Sequence, residues 1–336
     1  MKALKAAAAL VLALGLAACA EEELPEPNPD PAPETPEAVI SDERLDEILD
    51  EINDALVEAD AESSFDEISD RITGPAVQIR EAEYALSQIT EDPVSDLATD
   101  SQLAIVAATD KWPRVVFVAT SIPEDANLPL LLTLVQESPR TNYELWSWVR
   151  ILPGVEMPQT VSAAVGSAPV AEDANSLVAS PQEVLEQYVD LLNEGDDSDY
   201  ADSFAEDSFR EMVRSQASDL DDAVSDAGEA AMDASARTGD GVMALETYDG
   251  GAIVVGVISN DLRVEKTVAR GTLEVGDVLA YGGDNEVTTE EPLTAHYLAT
   301  IAFYVPPAGS DDAISVLGAE YVLADVTRGD DDDEEE

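Results

Sequence analysis

The chain has one histidine, His296, and one cysteine, Cys19, so any chemistry built on a pair of either lacks its second member. A His–His zinc site and an HExxH helix are excluded by that count, and so is an internal disulfide. A serine triad would have to use His296, yet no serine lies in a GxSxG elbow. There is also no GxGxxG, no P-loop and no SxxK. Carboxylates are so numerous, 73 against 16 lysines and arginines, that no acid pair stands out as an acid/base dyad. The segment "GDDSDYAD" (195–202) has the acid density of a calcium loop. An EF-hand would need an oxygen ligand at Ala201 and a glycine at Asp202, so it reads as a solvated inter-helix loop. Trp146 and Trp148 are more suggestive. Two apart in "YELWSWVRIL" (143–152), they project to one strand face, flanked by Glu144 and Arg150. That face is either an aromatic platform for an apolar or sugar-like ligand or a surface that packs on helices. These two tryptophans are the candidate ligand-binding residues. His296, in "LTAHYLATIAFYV", reads as structural or half-exposed, and Trp112 as a packing anchor. No catalytic residue, metal ligand or cofactor is assigned.

The elements that would carry such a site begin after a leader. Lys2 and Lys5 precede "AAAALVLALGLAA" (6–18), an apolar stretch of 13 residues. About 20 are needed to cross a bilayer, so the run is too short to span and suits a secretory signal. Leu16, Ala17, Ala18 and Cys19 resemble the lipobox of bacterial lipoproteins. That resemblance implies cleavage between Ala18 and Cys19 and a diacylglyceryl group on the Cys19 sulfur. It also implies a body anchored to the extracytoplasmic face of the cell membrane, with the bilayer as its partner through Cys19. Residues 20–37, "AEEELPEPNPDPAPETPE", combine six prolines with acids and read as an extended tether. At about 3.1 Å per residue it would lift the body on the order of 50 Å. At the other end, residues 329–336 form an acidic tail. The formal charge of −57 sets nucleic acid aside as a partner and allows weak association of divalent cations.

Between tether and tail the same order, helices then strands, occurs twice. In the first half, Ser41 opens a helix with Leu45, Ile48, Leu49, Ile52 and Leu56 on one stripe. A shorter helical segment carries Phe65, Ile68 and Ile72, and a third runs from Pro75 to Ile89. Strands are expected over 102–109, 114–122, 128–137 and 143–152, and 159–171 is either a fifth strand or a linker. The second half opens with a capping box, Ser180-Pro181-Gln182-Glu183, and that helix stops at Gly195. Helical segments over 204–215 and 220–236 follow. "VMALETY" and "GAIVVGVIS" flank the hairpin turn Asp249-Gly250, and strands near 262–270, 293–305 and 314–327 complete the set. The expected class is α+β with mainly antiparallel sheets, arranged as two tandem domains at 41–172 and 173–328, after a signal peptide (1–18) and an anchored tether (19–40).

A helical layer followed by a curved antiparallel sheet is similar to the cone-shaped nuclear-transport-factor-like fold, here in tandem. The features "LVQESPRTNYELWSWVRILPG" (134–154) and "SPQEVLEQYVDLL" (180–192), with the lipobox and tether, resemble actinobacterial lipoproteins that have no assigned catalytic residues. The function expected is a non-catalytic module binding a ligand or protein in the cell envelope. The alternatives are an envelope enzyme using Asp or Glu in a cone pocket and a transporter's substrate-binding lipoprotein.

Overall fold

Ser41 begins the first helix as its sequence suggests: extended at φ −87°, it accepts from the Arg44 N–H at 3.4 Å. The structure is a computed structural model, and it describes residues 36–65, 70–122, 127–269, 271, 273–275, 288–289 and 291–329. The expected signal peptide and Cys19, the tether up to Thr35 and all of the acidic tail beyond Gly329 lie outside the described residues. Helix α1 (Asp42–Glu62) buries the predicted stripe, and α2 (Pro75–Thr90) begins on its proline. The short helix expected around Phe65–Ile72 is not present over the described residues 70–73. Ile72 instead bridges Leu145, and the Thr73 N–H donates to the Leu145 carbonyl at 2.9 Å. A strand edge takes the hydrogen bonds that a helical turn would have used.

Strands β1 (Ser101–Val106), β2 (Arg114–Thr120), β3 (Leu130–Gln136) and β4 (Glu144–Ile151) form an antiparallel meander. Residues 159–171 are not a strand; they meet the sheet through isolated bridges at Ser167 and Pro169 and pack Ala163 and Val170 against the two cores.

In the second half the capping box of α3 (Pro181–Glu194) is complete: Glu183 N–H donates to the Ser180 hydroxyl and Ser180 N–H to the Glu183 carboxylate. The two helices expected over 204–236 are one helix, α4 (Ser208–Val224), followed by strand β5 (Gly228–Ala236). Alanine favours helix locally, yet every residue of "GEAAMDASA" pairs with a long neighbour, and that ladder decides the conformation. The neighbour is β7 (Ala252–Lys266), which also pairs with β6 (Met243–Glu246) across the Asp249–Gly250 turn. It runs unbroken through what the sequence suggested were two strands. A two-residue pair, β8 (Leu273–Glu274) with β9 (Thr288–Thr289), precedes β10 (Leu293–Val305) and β11 (Ser315–Arg328).

The class is therefore α+β, with four helices and a large antiparallel sheet among the described residues. Strand order is β1-β2-β3-β4-β11-β10-β7-β5, with β6 on β7. Residues from Pro36 onward make one compact unit, and the boundary expected at 172/173 divides neither the sheet nor the larger core. The reason lies in β7. Ile253, Val255 and Val257 join a core built by α1, α2 and β1–β4, while Ala252, Val254 and Ile258 join a second core under α3 and α4. Both faces are apolar, so both need cover.

The halves meet where β4 pairs with β11, Ile151 opposite Gly318 and Arg150 opposite Ala319. A Cβ on Gly318 would stand 2.7 Å from the Arg150 carbonyl oxygen and 2.8 Å from a Val149 methyl. Gly318→Ala should therefore push the seam apart and lower stability by about 1–3 kcal/mol. Thermal unfolding measures it, and an unchanged midpoint would contradict this close approach.

Candidate functional site

The tryptophan face leads into the seam rather than to solvent. Trp148 is 0% exposed and Trp146 5%. The Trp146 indole covers Gly74 at the head of α2, where a Cβ would stand 2.9 Å from its Cδ1. Trp148 is held from both ends by the second half of the chain. Its Nε1–H donates to the Glu320 carboxylate at 3.1 Å, and its carbonyl accepts from the Thr300 hydroxyl at 2.6 Å. Neither indole lines any of the three clefts described below. In this structure the pair forms part of the packed core.

Of the expected flanking residues, Arg150 joins that arrangement and Glu144 does not. Arg150 Nε lies 3.1 Å from the same Glu320 oxygen that Trp148 binds. Burial pushes Glu320 up to about 7, against the opposing charge of Arg150 and with the help of the Glu83 charge. Glu83 is itself raised by burial, which the neighbouring Arg80 opposes. Arg80 is fully buried on α2 and forks onto Asp60 at 3.0 and 2.7 Å, with further bonds to Glu83 at 2.7 Å and the Ser95 carbonyl at 2.9 Å. Burial alone would lower the Arg80 pKa, but the two carboxylates outweigh it and hold the guanidinium charged. Tyr84 completes the group by donating to Asp60 at 2.6 Å.

A cleft of about 520 Å³ runs beside α4 and carries Asp196, Glu206, Asp207, Arg210, Glu211 and Arg214 on its walls. Asp207 is the N-cap of α4: one carboxylate oxygen accepts from Arg210 N–H at 2.7 Å and from the Tyr188 hydroxyl at 3.0 Å. Burial raises its pKa, and those donors with the Arg210 charge hold the rise back. Its other oxygen has no hydrogen bond and lies 3.8 Å from Arg210 Nε. The Tyr188 ring packs against Phe204 and Phe303 in the second core. A second cleft, about 360 Å³, is walled by Asp60, Asp96 and Asp100 with Leu56, Val57 and Ile122.

The third cleft, about 550 Å³, differs in charge. It lies between the start of α1 and the β3–β4 turn, and Arg44, Arg114 and Arg140 line it with no Asp or Glu among its lining residues. The sequence reading did not single out these arginines, Asp207 or Glu320. A usable signal existed for Glu320, a lone acid within the apolar run of β11. For the arginines it was only their scarcity.

His296 is half-exposed and sits between the Asp261 carboxylate at 2.9 Å and the Thr327 hydroxyl at 3.0 Å on the flanking strands. The 195–202 loop folds into two 3-10 turns, with the Ser198 hydroxyl bonded to Asp190 at 2.5 Å. Among the described residues no group of three or more His, Cys, Asp or Glu is placed to hold a metal ion.

The family described as a domain of unknown function (DUF8094) matches residues 36–328, and the chain belongs to it. No curated protein and no solved structure matches the chain.

Glu320 supplies a pH test. Its pKa lies above the unfolded value of 4.5, so between about 4.5 and 7 the folded chain keeps a proton that the unfolded chain has released. Stability from this group is therefore full below the window and falls as pH rises through it. In urea titrations, wild type should lose stability relative to Glu320→Gln as pH goes from 4.5 to 7. A difference independent of pH would show that the carboxyl ionises as if in water.

Proposed function

We propose that the protein is a lipid-anchored, extracytoplasmic lipoprotein whose body is a non-catalytic module for binding a ligand or protein partner in the cell envelope. The lipobox at Leu16–Cys19 and the acidic proline tether support the anchor. The observation that carries the binding reading is the use to which the buried acids are put. Glu320 holds Trp148 and Arg150, Glu83 holds Arg80, and Asp207 caps α4 and receives Tyr188. These three raised carboxylates are all engaged by structural partners, and only Asp207 reaches the wall of a cleft. Both halves keep helices followed by antiparallel strands, which supports a body of two cone-like α+β units fused through β4 and β11. Every named strand pair is antiparallel, which favours this over a transporter's binding lobes.

Cys19→Ala should move the protein from the membrane fraction to the soluble one, or leave it unprocessed, on fractionation and immunoblotting. Normal cleavage with unchanged membrane retention would remove the anchor assignment.

One observation favours the enzyme reading: Asp207 is a buried carboxylate with a raised pKa on the wall of an open cleft. Turnover of envelope substrates by the mature protein, abolished in Asp207→Asn while its melting midpoint holds, would transfer the assignment to an enzyme. Absence of turnover across a broad substrate panel is the expected result.

A further inference from the structure

The cleft at the start of α1 differs in composition from the other two clefts. The chain carries 73 acids and only 16 lysines and arginines. The cleft beside α4 has four acids and two arginines on its walls, and the cleft beside the C-terminal half of α1 has three acids. This one has Arg44, Arg114 and Arg140 and none. The first turn of α1 contains Asp42 and Glu43, but neither lines it.

Its cations come from three separate stretches. Arg44 follows the N-cap and is paired with Glu47 at 2.7 Å. Arg114 opens β2 and Arg140 lies on the turn after β3, and neither has a carboxylate partner among the described residues. Arg114 is fixed in place by the Trp112 ring, 4.3 Å from its guanidinium carbon. Its Nε is buried and makes no hydrogen bond. Tyr143, at 6% exposure, also lines the cleft; its buried hydroxyl oxygen lies against the Arg114 guanidinium, and its own proton has no acceptor. Burial pushes that hydroxyl up to about 12 despite the nearby Arg114, so it remains a neutral donor. The Arg140 turn is braced by Ser138 N–H to the Thr141 hydroxyl at 2.9 Å and Gln136 Nε2–H to the Thr141 carbonyl at 2.9 Å. Val39, Ile40, Ile48 and Pro139 supply an apolar wall.

A buried polar group left unpaired is costly, and this cleft holds two such donors, the Arg114 Nε–H and the Tyr143 O–H, with Arg140 as a further cation that has no carboxylate partner. From that juxtaposition we infer that the cleft binds a small organic oxyanion, a carboxylate or phosphate carried on a short apolar body. The charged end meets Arg114 and Arg140, with the Tyr143 hydroxyl as a third donor, and the apolar body lies along Val39, Ile40 and Pro139. A volume near 550 Å³ fits a small molecule. The inference deepens the binding reading above and is independent of the anchor, so failure of the Cys19 test leaves it standing.

Trp112 is a built-in reporter, since it touches Arg114 and is 36% exposed while Trp146 and Trp148 are covered. Purified full-length protein in detergent is titrated with hexanoate and hexyl phosphate, with hexanol and inorganic phosphate as controls, by tryptophan fluorescence and calorimetry. Hexanoate or hexyl phosphate should bind saturably and more tightly than either control. The Arg114→Gln/Arg140→Gln double variant should weaken that binding about tenfold or more, and Tyr143→Phe by less. Arg263→Gln, a cation outside the cleft, should leave it unchanged. Hexanol binding as tightly as hexanoate would overturn the inference in favour of a merely apolar groove. Equal weakening by Arg263→Gln would reduce it to general electrostatics and overturn it too. Binding to phosphatidylglycerol vesicles without binding to the soluble anions would replace it with a lipid-surface contact. No saturable binding by a protein that melts cooperatively would also overturn it.

Discussion

Strand β7 is buried on both faces, and most of the architecture answers that constraint. Alternate side chains of a strand point to opposite sides, and here both sides carry Val and Ile: 253, 255 and 257 on one, 254 and 258 on the other. A sheet with one solvated face would expose one of these sets. The helices α3 and α4 cover the second, and the first half of the chain covers the first. Gly256 marks how close the cover comes, since a Cβ there would meet Leu185 of α3 at 2.4 Å. The resulting apolar interior has to offset both chain entropy and the mutual repulsion of a surface with a formal charge of −57.

The polar groups trapped where the halves meet follow from the same burial. Arg80 and Glu320 are out of water: the carboxylates around Arg80 offset the cost of its burial, while Arg150 and Trp148 offset only part of it for Glu320, whose pKa stays raised. Removing one partner would leave the other uncompensated, so Trp148, Arg150 and Glu320 act as a unit spanning β4 and β11. This explains why a pair of tryptophans at strand spacing ends in a core: Trp148 gives its one donor to Glu320 and has none left to offer a ligand.

Charge is distributed unevenly around this interior. Two clefts are acid-walled and one is lined by arginines from separate parts of the chain. With so few cations available, placing Arg114 and Arg140 in a cleft with the buried Tyr143 hydroxyl distinguishes it from an ordinary solvated surface.

Much of the fold was legible locally. The capping box at Ser180, the stop at Gly195 and the stripe of α1 depend on residues within a few positions of one another, and the structure keeps them all. The strands of the meander were readable because runs such as Leu130–Val135 are apolar at every position but Thr133, which is itself buried. The misreadings share one cause. Ala-rich β5 and the segment around Ile72 take their conformation from partners far along the chain, the first from β7 and the second from Leu145. Propensity cannot register a ladder that is not yet formed. By itself the sequence determined the starts of α1, α2 and α3, the stop of α3 at Gly195, the antiparallel α+β class and the absence of paired histidines or cysteines, because these follow from local spacing and from counting. Only the tertiary structure decided that the two halves share one sheet, that Trp148 is bound to Glu320, and that Arg44, Arg114 and Arg140 line one cleft. Those are contacts between distant residues, and two-sided burial of β7 is what brings the halves together to make them.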